Sequence, residues 1–166
     1  MSAFKSTAQV DGENLSLNFE GSIDEDVTFP QVDAGNVKKL KINLAAISSI
    51  NSVGIREWLD WIKPIAEKVS IVLENCPKSM VFQFNMVEGF LPPKASVTSF
   101  YVPYFCDKCD LEKNVLFTVG KDIAVDSGSL KFATTAQATV GCKVAECEVE
   151  MDVTEAKYFR FLLPAK

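Results

Sequence analysis

The spacing of the apolar residues changes sharply in the first half of the chain, and this change limits the possible folds more than any other feature. Leu40, Ile42 and Leu44 alternate with polar residues, a pattern typical of a half-buried strand. Between Ile55 and Ile65 the apolar residues instead recur every three or four positions, as on one face of a helix. A strand that leads directly into a helix favours an α/β fold.

Segments on both sides extend this alternation of strands and helices. Asp11-Gly12 is a tight-turn pair, so residues 4–20 are predicted to form a β-hairpin. The apolar run 69–73 suits a buried strand, Pro77 can open a second helix, and residues 95–101 return to strand character. We therefore predict a mixed or parallel sheet with helices on one face.

Single residues add detail to the two helices. Pro64 lacks an amide donor, so the first helix is predicted to kink or end just before it. Trp61 falls outside the apolar face of that helix and is interpreted as a contact surface. On the second helix, Val81 and Phe82 are predicted to face inward, with Met86 as a further candidate.

Short segments at the turns carry a resemblance to a known family. Asn51-Ser52-Val53-Gly54 opens the first helix after the strand 40–44, and Gly21-Ser22-Ile23-Asp24 follows the hairpin. With the order of elements, these segments resemble a STAS domain, the fold of bacterial anti-sigma-factor antagonists, over roughly residues 8–102. The resemblance implies a signalling module that binds a regulatory kinase or an anti-sigma-like protein.

The chain departs from the family where phosphorylation would occur. STAS domains carry the regulated Ser or Thr just before the Gly, whereas this chain has Val53, which cannot accept a phosphate, and Asn51 replaces the family's Asp. Ser52 stands at the expected N-cap. We interpret Asn51, Ser52, Val53 and Gly54 as a protein-docking surface without a phosphorylation switch. The alternatives are a simple helix start and a site for a small anionic ligand or nucleotide.

Four of the five cysteines form two closely spaced pairs in the last part of the chain. Cys106 and Cys109 are separated by two residues, and Cys142 and Cys147 by four. Such pairs are typical of a structural zinc ion held by four thiolates, and the segment resembles a zinc ribbon, although Asp110 stands where ribbons usually have Gly. Two disulfides, free thiols or an iron–sulfur cluster are the alternatives. The predicted organisation is a STAS-like domain over 1–103 and a four-cysteine zinc-ribbon-like domain over 104–166.

The composition argues against several functions. The chain has no His, which removes imidazole-based catalysis, and four thiolates leave a zinc ion no open position, so no enzyme is expected. A net charge of -5 argues against the alternative of a nucleic-acid-binding ribbon. Without a secretory signal or a membrane-length apolar run, a cytoplasmic protein is expected. The sequence thus predicts a non-enzymatic regulatory module for protein–protein interaction, braced by a structural zinc site.

Overall fold

The computed structural model of the chain describes residues 2–133 and 149–164. Within these ranges the chain forms ten strands, three helices and a 3-10 turn. In chain order they are β1 (Lys5–Asp11), β2 (Asn14–Ile23), β3 (Lys39–Ile50), α1 (Ser52–Ala66), β4 (Ser70–Glu74), α2 (Lys78–Met86), β5 (Ser96–Val97), β6 (Ser99–Cys106), β7 (Leu111–Thr118), β8 (Ile123–Asp126), β9 (Ser129–Phe132), β10 (Glu150–Met151), α3 (Glu155–Tyr158) and the 3-10 turn Arg160–Leu162.

The first five strands form one sheet in the order β1-β2-β3-β4-β5. β1 and β2 are the predicted antiparallel hairpin, while β2, β3, β4 and β5 pair in parallel. The prediction of a mixed α/β fold is confirmed. Because both helical crossovers run in the same direction along the sheet, the usual right-handed connection places α1 and α2 on the same face.

The main core lies between that face and the helices. Alternate residues of β2, β3 and β4 are buried there, as period-two side-chain alternation requires. They belong to the same hydrophobic cluster as Trp58, Ile62 and Ile65 of α1. Because β2 and β3 are joined without a helix over residues 24–38, another segment must cover this end of the core.

Trp61 takes part in that cover, so its interpretation as a contact surface was wrong. Its ring stacks on Phe29 of the irregular connection, with the centroids 4.8 Å apart. Its indole Nε1 donates a hydrogen bond of 2.8 Å to the carbonyl oxygen of Pro30. The connection between β2 and β3 thus supplies an apolar surface beside α1. The 3.6-residue period of the helix indicates only its main apolar face, so it did not predict this contact.

Two predictions about the helices need correction. α1 continues through Pro64 and ends at Ala66, because Ile65 behind the proline is buried in the core and the loss of one backbone hydrogen bond is tolerated. In α2 the buried residues are Met80, Val81 and Phe84.

The other two residues expected inside α2 are exposed. Phe82 is 38% exposed and Met86 is 79% exposed. Phe82 instead packs at the edge of Tyr158, with Lys78 Nζ 5.6 Å from its ring centroid. The buried face of α2 is therefore formed by Met80, Val81 and Phe84, and Phe82 lies against the C-terminal segment.

A second sheet, in the order β10-β6-β7, follows the first in the chain, and β8 and β9 form a separate hairpin. A parallel bridge between Cys76 and Phe100 joins the end of β4 to β6. Phe100, Phe117 and Phe159 belong to the same buried cluster as the first sheet's core. β6 spans residues 103 and 104, and the division into two domains at that point stays a prediction.

The side chain of Asn85 ties the C-terminal segment to α2 by hydrogen bonds. Asn85 Nδ2 donates to the carbonyl oxygens of Val81 and Tyr158, and its Oδ1 accepts from the amide of Phe161. The hydroxyl of Tyr158 donates to the carbonyl oxygen of Tyr101.

In the described ranges, none of the helices has the length and apolar character needed to cross a bilayer.

Candidate functional site

The predicted docking residues lie where β3 ends and α1 begins. The helix cap is Asn51 and not Ser52, because Asn51 Oδ1 accepts a 2.8 Å hydrogen bond from the amide of Gly54. The backbone N–H of Asn51 donates a 3.2 Å hydrogen bond to the carbonyl oxygen of Ile23 at the end of β2. The cap therefore fixes α1 to two neighbouring strands, since Asn51 directly follows β3.

Gly54 allows the helix to approach β2 very closely. A Cβ at this position would lie 2.0 Å from the carbonyl oxygen of Ile23 and 2.5 Å from its carbonyl carbon. Because both contacts are with backbone, no side-chain rearrangement can relieve them. The resemblance to STAS domains drew attention to this glycine, and the structure gives it a packing role.

The structure adds Glu25 to the site, a residue that the sequence did not assign to it. Asn51 Nδ2 donates a 2.8 Å hydrogen bond to Glu25 Oε2. Two hydrogen bonds hold the pKa of the Glu25 carboxyl below its ordinary value. The larger effect comes from the backbone N–H of Glu25 itself, and the smaller from the side-chain amide of Asn51. A carboxylate, that of Glu25, thus lies beside the start of α1, although Asn51 occupies the position where STAS domains carry Asp.

The sequence shows Glu25 only as part of an acidic run, and the sheet order places it at the site. Glu25 belongs to the acidic run Asp24-Glu25-Asp26, which by itself indicates only a solvated loop. This run follows the carboxyl end of β2, and β2 is the parallel neighbour of β3. Carboxyl ends of adjacent parallel strands meet at one edge of a sheet, so the loop after β2 borders the loop after β3.

The resulting surface is exposed and pre-shaped. We call Glu25 together with Asn51, Ser52, Val53 and Gly54 the helix-start surface. Asn51 and Ser52 are exposed, Val53 is half-buried and Gly54 is buried. The first turn of α1 carries no acidic residue of its own, so Glu25 supplies a negative charge from the neighbouring loop. The surface offers a small apolar contact flanked by a carboxylate and hydrogen-bonding side chains.

The first cysteine pair lies at the tip of the β6–β7 hairpin. Cys106 is the last residue of β6 and is buried, whereas Cys109 is exposed in the turn. Asp110, the next residue, has a φ of 52°, the left-handed conformation that favours Gly and that Asp also tolerates. The turn therefore has the backbone form for which a ribbon would use Gly, with Asp in its place.

The second pair, Cys142 and Cys147, lies outside the described residues, so the four-cysteine arrangement stays a prediction. Over residues 2–133 and 149–164, no group of three or more His, Cys, Asp or Glu side chains is placed to hold a metal ion. β10 pairs antiparallel with β6 and sets Glu150 opposite Phe105, the neighbour of Cys106. The chain thus returns to the hairpin tip three residues after Cys147.

Cys76 is unsuited to nucleophilic chemistry. Its side chain is fully buried at the bridge between the two sheets. Burial, and to a lesser degree the charge of Glu74, raises the pKa of the thiol. A thiol that resists ionisation and is inaccessible to reagents is a packing residue, in agreement with its interpretation as a small buried hydrophobe.

The helix-start surface combines a positioned carboxylate with a half-buried apolar side chain, and the hairpin tip carries one buried and one exposed cysteine. Comparison with known proteins adds no family assignment: no protein-family model matches the chain, and no curated protein matches it.

Proposed function

We propose that the chain is a non-enzymatic module for protein–protein interaction, STAS-like in its first sheet, that docks its partner at the helix-start surface. The observation that carries the proposal is the exposed start of α1, held rigid by Asn51 and by the close packing of Gly54 on Ile23. A preformed surface loses little conformational entropy on binding. With Val53 in place of a phosphoacceptor, docking is constitutive. By the STAS resemblance, the partner is a regulatory kinase or an anti-sigma-like protein.

Charge favours a basic contact on the partner. Glu25 is fully exposed and, like any carboxyl whose pKa is not raised, is ionised at neutral pH, with Asp24 and Asp26 on either side. An anionic ligand at the helix N-terminus would meet this carboxylate and be repelled, which supports a protein partner over a small anion or nucleotide. A Lys or Arg of the partner would pair with Glu25 while an apolar side chain covers Val53.

A pull-down from the native host followed by binding of the purified partner tests the docking proposal. Val53→Lys places a long cation at the centre of the surface and is expected to abolish binding. Glu67→Lys is the matched control, because it adds the same side chain at an exposed position at the other end of α1. Equal binding by the Val53→Lys variant and the native chain, with folding intact, contradicts the proposal.

A second variant tests the expected ion pair between Glu25 and a basic residue of the partner. Glu25→Gln removes the carboxylate but keeps a side chain that can hydrogen-bond to Asn51. We expect weaker partner binding whose remaining affinity depends less on salt, because an ion pair is screened by salt and a neutral contact is not. Unchanged salt dependence would show that Glu25 takes no part in docking.

We further propose that Cys106, Cys109, Cys142 and Cys147 hold a structural zinc ion that braces the second sheet. The position of the first pair at a hairpin tip supports this, since a short turn presents two thiolates to one ion. The return of the chain beside Cys106 also supports it, because the three residue steps from Cys147 to Glu150 span at most about 11 Å. Zinc would supply a cross-link between distant segments and no open position for catalysis.

Metal analysis of chain purified without chelators tests the zinc site. We expect about one zinc per chain in the native protein and in Cys76→Ala, and its loss in Cys106→Ser and in Cys142→Ser. Cys76→Ala is the control because it removes a thiol distant in sequence from both pairs. Metal-free native chain, with its cysteines joined as disulfides by mass spectrometry, would refute the site.

A further inference from the structure

Among the described residues, β1 is an open edge of the five-stranded sheet, and it is exposed along its whole length. It pairs with β2 without a bulge from Lys5 to Asp11. The opposite edge, β5, is only two residues long. Natural proteins usually protect long edges with proline, bulges or inward charges, since an open edge is a template for another strand.

The open edge carries regularly spaced hydrogen-bonding groups. The hairpin turns over two residues and closes on the pair Asp11 and Asn14, which in such hairpins is a hydrogen-bonded pair. Alternate residues of β1 therefore direct their backbone groups toward β2. The residues between them, Ser6, Ala8 and Val10, direct their N–H and C=O groups away from β2, toward the open edge.

The side chains of the same three residues extend the core face. In the register of the hairpin, Ser6, Ala8 and Val10 stand opposite Phe19, Leu17 and Leu15, which are buried. They carry no charge, and Val10 is 69% exposed. Within the part of the chain that the structure describes, the core face of the sheet therefore continues onto β1 without a cover or a protecting charge.

We propose that β1 pairs antiparallel with β1 of a second copy of this chain, about a two-fold axis at Ala8. This register sets Ala8 opposite Ala8 and Ser6 opposite Val10, so that three pairs supply about six backbone hydrogen bonds. It also sets Lys5 of each copy opposite Asp11 of the other, on the outer face where both side chains are exposed. The complementary charges at the two ends select this partner and this register, because opposite charges directly across a strand pair attract.

The mass of the chain in solution, measured by analytical ultracentrifugation over a wide range of concentration, tests the pairing. We expect a reversible dimer for the native chain. Ala8→Pro removes an N–H that faces the open edge and is expected to give a monomer, whereas Ala8→Val keeps the N–H and is expected to remain dimeric. A native monomer at all concentrations, or a dimer that survives Ala8→Pro, overturns the proposal.

A charge exchange tests the register without depending on one variant's folding. Lys5→Glu and Asp11→Lys each place like charges at both ends of the paired strands, and each is expected to weaken association about tenfold or more. An equimolar mixture of the two variants is expected to dimerise as the native chain does, because opposite charges then face each other at both ends of the mixed pair. Circular dichroism checks that each variant is folded. If the mixture is no more dimeric than the separate variants, the proposed register is wrong.

Discussion

Replacing Gly54 by alanine is the sharpest test of how α1 is seated on the sheet. In an ordinary helix, alanine is more favourable than glycine by about 1 kcal/mol. Here the added Cβ would lie 2.0 Å from the carbonyl oxygen of Ile23, where van der Waals contact requires at least 3.4 Å. The start of the helix must therefore retreat by roughly 1.4 Å, the difference between these distances.

The energetic cost follows from what that retreat breaks. Overpacking against rigid backbone costs about 1–3 kcal/mol. The hydrogen bond from the Asn51 amide to Ile23, already 3.2 Å long, would be lost at a cost of about 1 kcal/mol. After the helix-propensity gain is subtracted, Gly54→Ala is expected to destabilise the chain by about 1–3 kcal/mol, a fall in Tm of roughly 3–10 °C for a chain of this size.

Urea unfolding, followed by far-ultraviolet circular dichroism, measures the effect. The midpoint should fall while the slope stays constant, since the exposed surface of the unfolded chain is unchanged. Ser52→Ala, at an exposed position of the same turn, is the control and should shift stability by no more than about 0.5 kcal/mol. A Gly54→Ala variant as stable as the native chain, or more stable, would show that α1 is not packed on Ile23 as described.

Three further predictions concern other contacts. By NMR, the Glu25 carboxyl should titrate below the usual range for Glu and shift upward in Asn51→Ala; because its pKa is lowered in the folded state, its stabilising effect is present above the unfolded pKa and is lost as pH falls through the folded pKa. Asn85→Ala should destabilise the chain by about 1–3 kcal/mol and speed hydrogen exchange at Phe161, since the part-buried carbonyl of Tyr158 and amide of Phe161 lose their hydrogen bonds to Asn85. Cys76 should resist a thiol-alkylating reagent in the folded chain and react in urea, and rapid labelling of the native protein would contradict its burial.

The sequence predicted the elements of the first sheet because their signals are local. The alternation at residues 40–44 and the helical spacing from Ile55 to Ile65 depend only on which side chains face the core. The start of α1 was also readable, although both Asn51 and Ser52 are good caps and only the backbone conformation selects between them. Of the two outcomes predicted at Pro64, a kink or the end of α1, the end was wrong, because burial of Ile65 beyond the proline is a tertiary effect.

The candidate site was predicted only in part for the same reason. Its residues on α1 are contiguous and therefore visible as a motif. Glu25 is 26 residues away from Asn51, and it joins the site because β2 and β3 are parallel neighbours. The hydrophobic pattern within β2 or within β3 does not indicate which strand lies beside it in the sheet.

The sequence by itself determined the mixed α/β class, the hairpin and the turn from β3 into α1, since each follows from local hydrophobic period, turn residues and caps. Tertiary structure alone decided that Trp61 is covered by Phe29, that Phe82 and Met86 face outward, that Glu25 stands beside Asn51, and that β1 is left as an open edge among the described strands. The physical reason is that burial and strand neighbourhood depend on which distant segments pack together, and that packing is a property of the whole folded chain.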